Sequence, residues 1–191
     1  MKILKLLPLC LILLALGCQN PFRPKLIDIS TSAIYNRSPE ELLRNLEKSY
    51  REKNINIFRS LLHEDYRFEL LSSEFNQIGI DMDGDGIRDT WWDYEQELEM
   101  TRNMFERGSS DGSMPVADVI ELRLQIPPQE LWEVDPATER ENWIVIPCYF
   151  DLILTYTSSN SSYVANGIAR FYLVEESGAW KIIIWRDESN L

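Results

Sequence analysis

Residues 81–89 read Asp81-Met82-Asp83-Gly84-Asp85-Gly86-Ile87-Arg88-Asp89, the sharpest chemical signal in the chain. Alternating carboxylates in a glycine-bearing loop point several oxygens at one centre. Calcium asks for that arrangement, because it takes six to eight oxygen ligands. The same composition also suits an acidic turn that stays solvated and binds nothing. Other chemistry is sparse. His63 is the only histidine and follows an apolar helix end, which suits a capping or solvent-facing role better than catalysis. The chain shows no zinc-type cluster, no nucleophile elbow and no phosphate loop. No catalytic residue and no organic cofactor are assigned from sequence.

The acidic string resembles calcium loops of the EF-hand, dockerin and thrombospondin type-three kinds. That resemblance makes Asp81, Asp83 and Asp85 side-chain ligands, Ile87 a carbonyl ligand and Asp89 a direct or water-mediated one. An EF-hand needs a bidentate acid at the twelfth position. Trp92 stands there, with Asp93 and Glu95 as the nearest substitutes.

A second reactive position is Cys18. Lys2 and Lys5 precede an apolar run, Leu6 to Leu16, that is shorter than the roughly 20 residues a membrane span requires. Leu14-Ala15-Leu16-Gly17-Cys18 closes that run. The segment resembles the bacterial lipobox, with Ala15 where that pattern most often has leucine. The resemblance implies loss of residues 1–17 and a lipid on Cys18, hence a membrane-anchored protein of the bacterial envelope. Each buried methylene contributes about 0.8 kcal/mol, so several acyl chains hold where one alone is marginal. Gln19, in place of an aspartate associated with inner-membrane retention, points to the outer membrane or cell surface. Residues 18–37 hold Pro21 and Pro24 with no sustained period and read as a tether. Residues 38–191 read as one domain.

The net charge of −12 disfavours nucleic acid and anionic lipid surfaces and is compatible with cations. After processing only Cys148 is left as a thiol, which excludes an intramolecular disulfide. It stands inside an apolar strand and reads as a packing residue.

The elements that must position these groups follow from periodicity. Ser38, Pro39 and Glu41 start a helix whose inner stripe is Leu42, Leu43, Leu46 and Tyr50. Asn54 caps a second, with Ile55, Phe58, Leu61 and Leu62 inward. Tyr66, Phe68 and Leu70 alternate as a strand. Thr90 is expected to cap a third helix with Trp91, Tyr94, Leu98, Thr101 and Phe105 inward, ending near Gly108. Beyond Pro115 the period becomes two. Strands are expected through Val116–Ile126, Ile144–Tyr156, Tyr163–Leu173 and Trp180–Trp185, the last apolar on both faces. Pro147 marks a bulge or an edge. This order predicts an α+β fold: a curved antiparallel sheet with three N-terminal helices packed on its concave face, forming a cone.

Several strings carry a wider resemblance. They are Ser38-Pro39-Glu40-Glu41-Leu42-Leu43, Leu61-Leu62 leading to Asp65-Tyr66-Arg67-Phe68, Glu97-Leu98 with Met104-Phe105, Gly167 through Val174, and Trp180-Lys181-Ile182 through Trp185-Arg186-Asp187. Together they resemble the nuclear transport factor 2-like superfamily in its SnoaL-like, cystatin-like cone form. Relatives of that kind use an aspartate or histidine with tyrosine partners in the cone, but Asp65, His63 and Tyr66 reproduce no such motif. Tyr66, Phe68, Trp91, Tyr94, Phe150, Tyr163 and Phe171 are the expected lining of the cone. Ala165, Gly167 and Ala169 either leave room there for a small apolar ligand or are filled by large neighbours. The outer face of the sheet is a candidate homodimer surface. The expectation is a non-enzymatic, lipid-anchored binding module with a structural calcium loop. The alternative is a SnoaL-like isomerase, cyclase or dehydratase working by proton transfer in the cone.

Overall fold

A computed structural model describes residues 36–70, 81, 85–109, 112, 115–135 and 142–188. The expected leader (residues 1–17), Cys18 and Asp83 lie outside the described residues. Helix α1 spans Pro39–Arg51. Ser38 holds an extended backbone, and its Oγ accepts from the Glu41 N–H at 3.1 Å. Glu41 reaches back one residue further than a capping box requires, accepting from the Arg37 N–H. Asn36 is already part of the domain: it is buried, and its carbonyl accepts from the Trp180 N–H. Helix α2 spans Ile55–Leu61, with the Asn54 side chain accepting from Asn56 N–H and Ile57 N–H. The turn between the two helices places Lys53 in the left-handed region.

Helix α3 spans Tyr94–Arg102 and continues through a π-helical turn, Asn103–Arg107, to Gly108 at φ 80°. It begins later than the Thr90 cap predicted. Asp93 is the cap, and Asp93 and Gln96 bond each other's backbone N–H reciprocally. Trp91–Asp93 instead forms a short strand, β2, antiparallel to β1 (Leu62–Leu70). The reason is a cross-strand aromatic pair. Phe68 lies opposite Trp92, and the rings stack at 4.2 Å and 3°. Such a contact favours strand over helix at residues that a helical period alone would accept.

The remaining strands are β3 (Val119–Gln125), β4 (Glu133–Val134), β5 (Ile144–Tyr156), β6 (Ser161–Glu176) and β7 (Ala179–Asp187). The sheet order is β2-β1-β7-β6-β5-β3, with β4 also on β5. All pairs are antiparallel except β1 with β7, which run parallel. The architecture is the expected α+β cone, with a mixed rather than wholly antiparallel sheet. A period-two pattern reports which face a side chain takes, not the direction of a neighbour, so this pairing is invisible to it. The hairpins β5–β6 and β6–β7 follow the predicted turns.

Two irregularities shape the sheet. Between the pairs Tyr172–Ile184 and Leu173–Ile182 the register shifts, leaving Ile183 as an extra residue. A bulge of this kind bends its strand and increases twist. Pro147 lies where β5 has β6 on one side only: β4 pairing ends at Val145 and β3 pairing resumes at Tyr149. A residue without an N–H is tolerated at such an edge.

The concave face packs on the helices through Leu42, Leu43, Leu46, Phe58, Leu61, Ile146, Phe171 and Ile182. Glu47 Oε1 ties α1 to the sheet by accepting from the Leu124 N–H at 2.7 Å. The outer face has a separate cluster of Val145, Tyr172, Ile183 and Ile184 with Trp143 and Val174. That cluster explains the two-faced apolar character of β7. Beside it, Arg186 pairs with Glu69 and lies over the Tyr172 ring, and Arg170 pairs with Glu133 and Glu188. Further along β5 and β6 the outer face exposes Tyr149, Val164 and Ile168.

Candidate functional site

An aromatic row crosses the concave face. Register places Ile146, Phe171, Trp185, Phe68 and Trp92 side by side on β5, β6, β7, β1 and β2. Trp185 lies 4.9 Å from Phe171 and 5.6 Å from Phe68, centroid to centroid. Helix α3 passes above with Glu97, Met100 and Thr101, and its π-helical extension adds Met104. Between them is a solvent-open cavity of about 360 Å³, bordered also by Tyr50, Phe150, Leu152, Ala165 and Asp187. The room comes from small residues. Ala165 faces Leu152, and Gly167 faces Phe150, across β5 and β6. Ala165 is exposed, so the cavity reaches solvent there.

Glu97 gives this apolar space its chemistry. The residue is only 6% exposed. Trp92 Nε1–H donates to Oε2 at 2.5 Å, and Thr101 Oγ1–H donates to Oε1 at 3.1 Å. Burial pushes its carboxyl above the ordinary value, and the Trp92 and Thr101 hydrogen bonds pull part of the way back. Two phenols share the region. Burial first, and the Glu97 carboxyl second, hold Tyr50 and Tyr66 well above the usual tyrosine range. The Tyr50 hydroxyl hydrogen-bonds the Thr101 side chain. The Tyr66 hydroxyl and Trp185 Nε1 are buried with no hydrogen-bond partner among the described residues. A carboxyl with raised proton affinity in an apolar cavity can accept a hydrogen bond, hold a proton or pass one on.

Of the residues predicted to line the cone, Phe68 and Phe150 border this cavity. Tyr66 and Phe171 are fully buried in the core beside it. Trp91 is 48% exposed, under the Arg67 guanidinium at 5.3 Å. Tyr94 borders a separate surface groove with Trp91, Asp93 and Glu64. Tyr163 is 58% exposed at the far end of the β5–β6 hairpin, edge-on to Tyr156. Trp91 and Trp92 exchange the expected places because the segment is a strand: alternation turns Trp92 inward and Trp91 outward. The sequence reading omitted Trp92, Glu97, Thr101 and Trp185. A signal existed for Glu97. It stands at i, i+4 to Thr101, which the helical stripe already placed inside, so an acid was on the buried face.

The acidic loop is described in part. Gly86 takes φ 84°, a left-handed conformation that glycine adopts without a Cβ clash. Its N–H donates to Asp81 Oδ2 at 2.9 Å, and the Ile87 N–H donates to Asp85 Oδ1 at 2.7 Å. Ile87 is exposed. Asp89 belongs to the same loop, half-buried. Among the described residues no three His, Cys, Asp or Glu side chains converge closely enough to hold a metal ion. The calcium reading therefore rests on the sequence pattern alone. His63 Nδ1 accepts from the Asp65 N–H, a local contact within the irregular start of β1, and neither residue lines the cavity. Cys148 is fully buried, and burial pushes its thiol up to about 12, which suits packing and not nucleophilic attack.

No family model matches the chain, and no curated protein sequence matches it. Solved structures do. A candidate aromatic ring hydroxylase from Novosphingobium aromaticivorans superposes with a TM-score of 0.55 at 13% identity, over 82% of this chain and 90% of that one. A candidate scytalone dehydratase from the same organism gives 0.52 at 13% identity, over 81% and 83%. A nuclear transport factor 2-like superfamily protein from Salmonella enterica serovar Typhimurium gives 0.51 at 11% identity, over 79% and 87%. At these identities the likeness establishes the fold.

The raised proton affinity of Glu97 has a measurable consequence. The folded protein keeps this proton at pH values where the unfolded chain has lost it. The stabilising contribution is thus full below the unfolded carboxylate value and lost as pH rises through the folded one. Urea unfolding of wild type and Glu97→Gln, at about pH 5 and about pH 8, should show wild type gaining on the variant at the lower pH. A stability difference independent of pH contradicts the assignment.

Proposed function

On this nuclear transport factor 2-like fold, we propose that the interior cavity is a binding site for one small, largely apolar molecule, read by Glu97. The observation that carries this is the cavity itself: about 360 Å³, within the range of small-molecule sites, apolar in most of its lining and provided with a single fully buried carboxyl. The neutral dye N-phenyl-1-naphthylamine is a suitable probe. Its fluorescence should rise on saturable 1:1 binding, and Ala165→Trp, which puts an indole into the opening, should weaken binding about tenfold or more. Unchanged affinity in a folded Ala165→Trp protein rules this site out.

A second reading, a proton-transfer isomerase, cyclase or dehydratase, is favoured by the same carboxyl. Glu97 combines raised proton affinity with access to the cavity, as a general acid or base requires. The relevant measurement is deuterium uptake at the α-carbons of 2-tetralone in heavy water. An enzyme of this class accelerates exchange, and Glu97→Gln abolishes the acceleration. Exchange at the buffer rate with wild type leaves the binding module.

The proposed address is the bacterial envelope, outer membrane or cell surface, through lipid on Cys18. Its support is the positive, apolar and small-residue pattern of residues 2–18. Expression in a bacterium fed labelled palmitate should label the wild type and leave Cys18→Ser unlabelled. Equal labelling of both rejects the anchor.

A further inference from the structure

Glu97 has two different hydrogen-bond partners. The Trp92 indole can only donate, and its Nε1–H is committed to Oε2. Thr101 offers a hydroxyl, which donates or accepts. Its oxygen lies 3.1 Å from Glu97 Oε1, and the Tyr50 hydroxyl meets it as well. With Glu97 ionised, Thr101 donates to Oε1 and accepts from Tyr50. With a proton on Oε1 the row reverses: Glu97 donates to Thr101, and Thr101 donates to the Tyr50 oxygen. Both directions keep the Glu97–Thr101–Tyr50 bonds intact. Thr101 and Tyr50 are buried, so neither direction calls on solvent.

The cavity biases the choice between the two. Glu97 lines it, and its opening lets water reach the space beside the carboxyl. No lysine, arginine or histidine is among the described residues that line it. A molecule that fills this space with carbon drives the water out and brings no counter-charge. Loss of water raises the cost of a carboxylate far more than that of the protonated acid.

The other ionisable groups around Glu97 are held or turned away. Tyr50 comes from α1 and Tyr66 from β1, and burial keeps both phenols well above the usual tyrosine range. Helix α2 turns Ile55, Phe58 and Leu61 inward. On α3 itself, Glu99 pairs with Arg102 and Arg107 outside the lining. On β1, Arg67 lies over Trp91 and Glu69 pairs with Arg186. Asp93 of β2 caps α3. Asp187, at the end of β7, is the other carboxyl among the described lining residues.

We propose that the cavity takes an uncharged molecule and takes up a proton with it, the proton resting on Glu97 in the Glu97–Thr101–Tyr50 row. The proton comes from solvent and joins a carboxylate oxygen; no bond of the ligand changes. Ligand and proton strengthen each other's binding, because linkage is reciprocal. Affinity for a neutral ligand is full where Glu97 is protonated and falls as pH rises and the proton is lost. This rests on the reading of the cavity as a small-molecule site and makes pH its regulator.

N-phenyl-1-naphthylamine, uncharged throughout the range, is titrated into the whole protein between about pH 5 and about pH 9. Its Kd should rise about tenfold or more across that range. Glu97→Gln, neutral at every pH, should keep the wild type's low-pH affinity throughout. Calorimetry of the same binding in buffers of different ionisation enthalpy should show proton uptake by wild type and none by Glu97→Gln. Thr101→Val removes a donor to the carboxylate and should move the midpoint of the profile to higher pH, and Thr101→Ser should return it. Dye binding with a Kd independent of pH overturns the coupling and leaves the small-molecule site standing. The coupling is equally overturned by a pH dependence that folded Glu97→Gln keeps or that Asp187→Asn removes, and by an unmoved midpoint in folded Thr101→Val. Should Glu97→Gln fail to fold, wild-type binding without proton uptake is the overturning result. Failure of the dye to bind at any pH removes the site, and this proposal with it.

Discussion

A carboxyl can sit inside an apolar cone only where donors meet its oxygens, because an unmet buried polar group costs kilocalories. Glu97 is met twice, and each donor depends on a different part of the architecture. Thr101 is one helical turn along α3 and comes with the helix itself. Trp92 comes from outside the helix, and its indole points inward only because residues 91–93 form a strand against β1. The stack of Phe68 on Trp92 holds that indole in place. Asp93 then ends the strand and caps the helix that carries Glu97. Strand, cap, helix and carboxyl thus form one dependent series, in which moving the helix start by one turn would strand the charge.

The volume facing Glu97 has its own cause. Large residues close one end of the concave face, where Phe171 and Ile146 pack on Leu43, Leu46 and the rest of the helical core. Small residues open the other, where Ala165 and Gly167 sit opposite Leu152 and Phe150. The bulge at Ile183 and the parallel seam between β1 and β7 keep the sheet curled around that space. The outer cluster of Val145, Tyr172 and Ile184 and the Arg186–Glu69 pair brace the same strands from behind. Strands β5 and β6 thus pack against the helices at one end and border the cavity at the other.

This fold supports unrelated chemistries, so function must be argued from the residues that face its interior. Here the interior combines aromatic side chains with a twice-bonded carboxyl. The acid resides on the third helix, not on the strand bearing Asp65 and Tyr66. Asp65, Tyr66 and His63 reproduce no family motif, and His63 bonds the Asp65 N–H within β1.

By itself the sequence determined the helix starts at Ser38 and Asn54, the strand faces of β5 to β7, and the α+β order. Each of these is a local matter: a cap needs one side chain within three residues, and a face needs only alternation. The tertiary structure alone decided that β1 runs parallel to β7, that Trp92 rather than Trp91 turns inward, and that Tyr163 and Phe171 fall outside the cavity. It alone brought Glu97, Tyr50 and Trp185 to one space. Those outcomes depend on contacts between residues far apart in the chain, and neither a period nor a cap carries information across such distances.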